Sequence, residues 1–313
     1  MSKITVIGAG NVGATCANII AQKELTNELI LLDVQQGISE GKALDIMQTA
    51  ALLEFDTRIK GVTNDYSATA DSNVVVITSG IPRKPGMSRE DLIGVNAGIV
   101  KDVIQNTLKY SPKAVIVVFT NPVDTMTYLA LKTSGLPQNQ IIGMGGMVDR
   151  PRFKYYLSQA LNCAFTDIEA TVIGGHGDAT MVPLKRFATY KGIPVSQFLD
   201  ADTLTQVIAD TMVGGATITR LVGTSAWYAP GAAGAIMVEA IVRDQKKSYP
   251  CCVALNGEYG QTDICIGVPT VIGKNGWEQI IDYKLDSEEQ ALFNKSADAV
   301  RKMNQVLADM GLV

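Results

Sequence analysis

The stretch VIGAGNVGAT sets Gly8, Gly10 and Gly13 in a G-x-G-x-x-G spacing directly behind the apolar run KITVIG. A strand must turn there at once into a helix, and each glycine meets a steric demand. The first makes the tight turn, the second leaves room for a pyrophosphate against the backbone, and the third lets the helix pack close on the strand. The helix opening at that turn presents unpaired N–H groups and the positive end of its dipole, a seat for phosphate. Asp33 closes the second apolar run, ELILLD, where a carboxylate accepts the ribose hydroxyls of adenosine and repels a 2′-phosphate. NAD is expected over NADP.

The runs that follow extend this start into a fold. SNVVVITSG (72–80), KAVIVVFTN (113–121) and QIIGM (140–144) are near-continuous apolar strands separated by helical patterns. They imply a parallel sheet covered on both faces, a doubly wound α/β layer. Beyond about residue 150 the pattern changes. EATVIGGHG and MVPLKRFATY read as strands, helices fill roughly 203–245, and Asn256-Gly257 and Asn275-Gly276 mark hairpins. The expectation is a Rossmann domain over 1–148 and an α+β substrate and catalytic domain with antiparallel hairpins over 149–313. The last helix should open on an acidic first turn near Asp286 and stop at Gly311. The uncharged run Leu221 to Val238 holds Pro230 and several glycines, so it reads as a buried helix pair, not a membrane span.

Composition narrows the function. A net charge of −4 carries no basic footprint, so neither nucleic acid nor an anionic membrane is expected as partner. Cys16, Cys163, Cys251, Cys252 and Cys265 are odd in number, lack metal-ligand spacing and follow no leader pattern, which suits reduced thiols in a cytoplasm. The only histidine, His176, stands between glycines in GGHGD, and one imidazole with scattered thiols supplies no metal site. Flanking glycines let a ligand approach an imidazole closely at a strand end. By sequence spacing, Asp178 is its nearest acid.

The ordered motifs GAGNVG, LLD, IPRKPGMSREDL, NPVD, DRPRF and GGHGD resemble the lactate/malate dehydrogenase superfamily, in its lactate-dehydrogenase-like malate dehydrogenase branch, over essentially the whole chain. The resemblance implies NAD contacts at Gly8, Ala9, Gly10, Asn11, Val12, Gly13, Asp33, Asn96, Phe119, Thr120 and Asn121. It makes His176 the acid/base and Asp149 its orienting partner, leaving Asp178 the role of a strand-end cap. Arg152 would grip one substrate carboxylate and Asn121 the reacting oxygen. Residues 79–91 would form a lid in which Arg89 polarises the carbonyl and Arg83 pairs with a second carboxylate.

Lactate enzymes typically carry glutamine at the position of Arg83 and threonine at that of Ala226, so a dicarboxylate, malate or oxaloacetate, is the expected substrate. A lactate or other 2-hydroxy-acid dehydrogenase is the alternative within the class. A non-catalytic NAD-binding protein leaves the ordered arginines unexplained, and an NAD-dependent glycosidase of this fold would need a Cys/His metal pair. Arg150 and Pro151 depart from the family's usual small residues; the extra cation would bear on substrate affinity or on an oligomer contact. Small-residue helices around 211–240 suit close packing within or between subunits, and a homotetramer is expected, with a dimer as alternative.

Overall fold

The computed structural model describes residues 2–82 and 87–313. The first half runs β1 (Lys3–Ile7), α1 (Asn11–Gln22), β2 (Glu28–Asp33), α2 (Ile38–Gln48), α3 (Ala50–Leu53), β3 (Arg58–Thr63), β4 (Val74–Ile77), α4 (Arg89–Tyr110), β5 (Val115–Val118), α5 (Val123–Ser134) and β6 (Ile141–Gly143). The second continues with α6 (Asp149–Leu161), β7 (Ile168–Glu169), β8 (Val172–Gly174), β9 (Met181–Pro183), β10 (Thr189–Tyr190), β11 (Ile193–Pro194), α7 (Ala201–Val222), α8 (Tyr228–Val242), β12 (Lys247–Asn256), β13 (Thr262–Gly273), β14 (Gly276–Ile280) and α9 (Ser287–Asp309).

The first six strands lie parallel in the order β3-β2-β1-β4-β5-β6, the doubly wound arrangement read from the sequence. Strand β3 is the one the apolar runs do not reveal. It sits at the sheet edge and mixes Arg58 and Lys60 with its apolar residues, because an edge strand needs no unbroken apolar run. Strands β4 and β5 are buried along their whole length, which is why their sequences are almost purely Val and Ile.

The antiparallel strands do not form a sheet apart. Strand β12 joins β6 through one antiparallel pair, Cys252 with Gly143, and β13, β8 and β9 follow, so a single sheet runs through both halves. Strands β11, β10 and β7 make a small separate sheet. Both hairpins occur. Strand β14 follows β13 after two residues with Gly276 at φ +99°, whereas the Asn256-Gly257 connection is longer and continues through a short turn before β13. Helix α9 begins with the Asp286/Glu289 capping box, and Gly311 beyond its end has φ +68°.

The run Leu221 to Val238 is not a buried helix pair. Leu221 is 74% and Val222 53% exposed at the end of α7, and only α8 turns its apolar residues inward. Apolar composition could not separate the two segments, since burial is decided by which face the neighbours cover. Helix α8 lies against α1, where a Cβ on Gly234 would meet the Cys16 sulfur at 2.9 Å. Among the described residues no helix is long and apolar enough to cross a membrane.

The β1–α1 turn admits no side chain at its third glycine, because a Cβ on Gly13 would strike the Gly8 carbonyl oxygen and Thr78 Oγ1. Gly13→Ala should therefore destabilise the fold by about 1–3 kcal/mol, the usual cost of overpacking. Chemical denaturation measures this, and an unchanged midpoint would disprove so close a contact.

Candidate active site

At the carboxyl ends of the central parallel strands, where the strand order reverses between β1 and β4, a cleft of about 340 Å³ opens. Val12 of α1, Phe119 and Asn121 behind β5, Arg152 of α6, His176 behind β8 and Gly215 of α7 converge on it. Residues widely separated in the chain meet because the sheet is continuous from one half to the other.

One flank suits a dinucleotide. Gly8 has φ +101° and donates its N–H to the Leu32 carbonyl at 2.8 Å, which carries the chain round into α1. Gly10 stands exposed as the N-cap of α1, no side chain caps the helix, and a Cβ there would meet nothing within 4 Å. The phosphate seat is thus open, and the residues present fit NAD. Asp33 Oδ2 accepts the Ala9 N–H at 2.6 Å and Oδ1 that of Gln35 at 2.9 Å, so the acid also ties the glycine turn to the end of β2. A carboxylate has lone pairs left for ribose hydroxyls.

Further along, Phe119 and Thr120 are buried behind β5, and Thr120 donates to the Ser79 carbonyl at 2.5 Å. Asn96 is 1% exposed, donates to the carbonyls of Asn121 at 2.7 Å and Ile81 at 3.2 Å, and accepts from Ile81 N–H at 2.9 Å. Its amide holds in place the turn that carries Asn121.

Asp149 opens α6 at 1% exposure, and its carboxylate is shared. Oδ2 meets His176 Nδ1 at 2.8 Å and Oδ1 meets an Arg152 Nη at 3.0 Å. The imidazole is thus held by Nδ1, which leaves Nε2 for chemistry. Burial pulls the His176 pKa down, but the charge and hydrogen bond of Asp149, with the charge of Asp124, outweigh it and raise the imidazole above its ordinary 6.5. Asp178 is exposed at the cleft margin and is not the partner of His176.

Arg152 crosses α7 at a glycine pair. A Cβ on Gly214 would lie 3.1 Å from its Cδ, and one on Gly215 3.3 Å from a guanidinium nitrogen. Arg150 turns elsewhere, pairing with Glu169 at 2.7 Å, so the extra cation is engaged outside the cleft. Arg89, the first residue of α4, is exposed and not among the cleft residues. Arg83 lies outside the described residues.

Two features received no role from the sequence, although Asp124 closes the NPVD motif. Asp124, 1% exposed, accepts the His176 backbone N–H at 2.7 Å, and Gly214–Gly215 make the groove for Arg152. An acid in a first helical turn looks like ordinary dipole compensation, and a helical Gly-Gly looks like generic close packing, so neither carried a signal of its own.

Comparison with known proteins agrees with this geometry. The family model described as lactate/malate dehydrogenase, NAD binding domain, matches residues 2–143, and that of the lactate/malate dehydrogenase alpha/beta C-terminal domain matches 147–309. A curated malate dehydrogenase of Parabacteroides distasonis is 65% identical over 99% of both chains. The solved malate dehydrogenase of Salinibacter ruber is 43% identical, with TM-score 0.94 and 99% of each chain covered. A Cryptosporidium parvum lactate dehydrogenase, solved with lactic acid and β-nicotinamide adenine dinucleotide, is 35% identical with TM-score 0.94 over 98% of each chain.

With one histidine in the sequence, an imidazole proton titration by NMR on chain free of a polyhistidine tag reads His176 alone. The midpoint should lie above 6.5, and Asp149→Asn should lower it, because burial is then opposed only by the charge of Asp124. The linked stability is present in full below 6.5 and is lost as pH rises through the folded-state value. A midpoint at or under 6.5 in the unsubstituted protein would refute this electrostatic arrangement.

Proposed function

The chain belongs to the lactate/malate dehydrogenase family, and from that premise we propose that it interconverts (S)-malate and oxaloacetate with NAD. The observation that carries the reading is the shared carboxylate of Asp149, which sets an acid/base and a carboxylate-gripping arginine side by side in one cleft. Bound NAD supplies a nicotinamide that takes or returns hydride.

The chain's own residues do the rest. His176 Nε2 removes the hydroxyl proton of malate when the imidazole is neutral and returns it to the carbonyl oxygen of oxaloacetate when it is charged. Asp149 holds Nδ1 and stabilises the imidazolium, a role kindred to the orienting acid of hydrolytic triads. Arg152 binds one substrate carboxylate through its planar fork, and Asn121 holds the reacting oxygen. Arg89 polarises the carbonyl, and Arg83 pairs with the second carboxylate; for these two the support is the sequence motif. Gly8, Ala9, Gly10, Asn11, Val12 and Gly13 hold the pyrophosphate, Asp33 the ribose, and Phe119, Thr120 and Asn121 flank the nicotinamide, with Asn96 bracing them.

Malate is favoured over lactate by residues, not by fold, since the lactate enzyme of Cryptosporidium parvum superposes equally well. A methyl group in place of the second carboxylate would deny Arg83 the partner proposed for it, and a desolvated unpaired charge costs several kcal/mol. Ala226, at the cleft, supports the same choice. We place the division between the NAD-binding and substrate domains at 148/149, and the protein in the cytoplasm with its thiols reduced. We propose a homotetramer, with a dimer as the alternative; large apolar side chains left in solvent, among them Leu52 at 81%, Leu221 at 74% and Tyr228 at 73% exposure, suit burial between subunits.

NADH oxidation with oxaloacetate and with pyruvate tests the reading. kcat/KM should favour oxaloacetate by on the order of 10²-fold or more, and Arg83→Gln should shrink that ratio. Equal rates would keep the cofactor and remove the substrate; an unchanged ratio in the variant would remove Arg83 from the site. Gly215→Ala offers a second test, because alanine in mid-helix normally stabilises by about 0.5–1 kcal/mol. Here it should raise KM for oxaloacetate several-fold by pushing Arg152 aside, with KM for NADH unchanged, and an unchanged oxaloacetate KM would show that the glycine pair does not seat the arginine.

A further inference from the structure

The His176 segment is built from flexible parts. Gly174, with φ +91°, Gly175 and Gly177 surround the residue, so its position depends on what binds the backbone. Three side-chain hydrogen bonds hold the backbone of Gly175 and His176. Ser296 Oγ of α9 accepts from Gly175 N–H at 2.8 Å, Thr180 Oγ1 donates to the Gly175 carbonyl at 2.9 Å, and Asp124 Oδ2 accepts from His176 N–H at 2.7 Å. The first two partners are neutral and the third is an acid.

That acid stands in an expensive place. Asp124 is 1% exposed, its Oδ1 has no hydrogen-bond partner from nitrogen or oxygen among the described residues, and the Cys252 thiol beside it is held protonated by burial. Burial raises the carboxyl to about 6, against the hydrogen bond and charge of His176 and a hydrogen bond from the Cys252 thiol, which lower it. An asparagine would accept the same N–H without the cost of burying a charge. For an acid raised in this way, the stability gained by its protonated form is lost as pH climbs through about 6. The fold alone would be better served by a neutral residue, and the charge calls for another reason.

Asp124 also lies three residues beyond Asn121, in the same turn into α5, so one short segment holds both the substrate-facing amide and the backbone of the imidazole. We propose that Asp124 is a positioning residue for the acid/base: it fixes His176 against Asn121 across the two halves of the molecule, and its negative charge joins that of Asp149 in supporting the imidazolium. His176 is then held by a carboxylate on its ring and another on its backbone. The inference rests on His176 being the acid/base of the proposed reaction. The charged and titratable groups facing the imidazole are Asp149 and Arg152 of α6 and Asp124 of α5; those facing Asp124 are His176, Asp149, Cys252 of β12 and Cys265 of β13.

The test is Asp124→Asn in the full chain, with Ser296→Ala as the neutral comparison. Asp124→Asn keeps the acceptor, so NADH binding should persist and the melting temperature at pH 7.5 should hold or rise. The NMR midpoint of the single imidazole should fall, and the alkaline limb of the kcat/KM profile for oxaloacetate reduction should move down with it. Ser296→Ala should lower turnover without moving the midpoint. An unmoved midpoint in Asp124→Asn, or an equal movement in Ser296→Ala, would overturn the role of the charge. If Asp124→Asn does not fold, Asp124→Ser, a shorter neutral acceptor, decides in its place: the imidazole midpoint should fall, and an unmoved midpoint overturns the proposal. Failure of the malate reading would show separately, as an unsubstituted enzyme that does not reduce oxaloacetate.

Discussion

Everything at the site depends on the place where the parallel sheet hands over to the antiparallel one. There the chain passes through Gly143, Gly145 and Gly146, three positions with no room for a side chain. A Cβ on Gly145 would lie 2.7 Å from the Cys252 backbone nitrogen, and one on Gly146 2.9 Å from the Val172 carbonyl. That contact sets β6 against β12 and delivers the chain, within a few residues, to Asp149 at the head of α6. A bulkier crossing would separate the halves and move the acid away from the imidazole it holds.

From that crossing the electrostatics follow. One buried imidazole has Asp149 on its ring and Asp124 on its backbone, while Arg152 offsets part of the negative charge by sharing Asp149. A low-polarity interior strengthens each of these interactions and makes each unpaired group costly. The same carboxylate therefore orients the imidazole and fixes the guanidinium, the two groups to which the proposed reaction gives proton transfer and substrate binding. Holding both functions through one group keeps their separation constant, which is what stereospecific hydride exchange at a single carbon demands.

Legibility in the sequence followed the strength of local constraint. The glycine turn, Asp33, the buried strands β4 and β5, the hairpin at Gly276 and the capping box of α9 each rest on steric or hydrogen-bonding rules acting within a few residues. Strand β3 was hidden because an edge position relaxes the apolar pattern, and the exposed end of α7 was misread because composition says nothing about which face is covered. At the site, His176 was conspicuous as the lone histidine between glycines, but its partner was not. Asp178 is closer along the chain, and Asp149 was named only through the family motif.

What the sequence by itself determined was the Rossmann start, the preference for NAD, the antiparallel second half and the set of residue types available for chemistry, because backbone sterics and apolar periodicity are local. The tertiary structure alone decided the pairing of acids with the histidine, the diversion of Arg150 to Glu169, the groove that Gly214 and Gly215 leave for Arg152, and the burial of Asp124 beneath His176. Those contacts join segments tens of residues apart. Their energies arise from desolvation and distance in three dimensions, and neither quantity exists until the continuous sheet has brought the segments together.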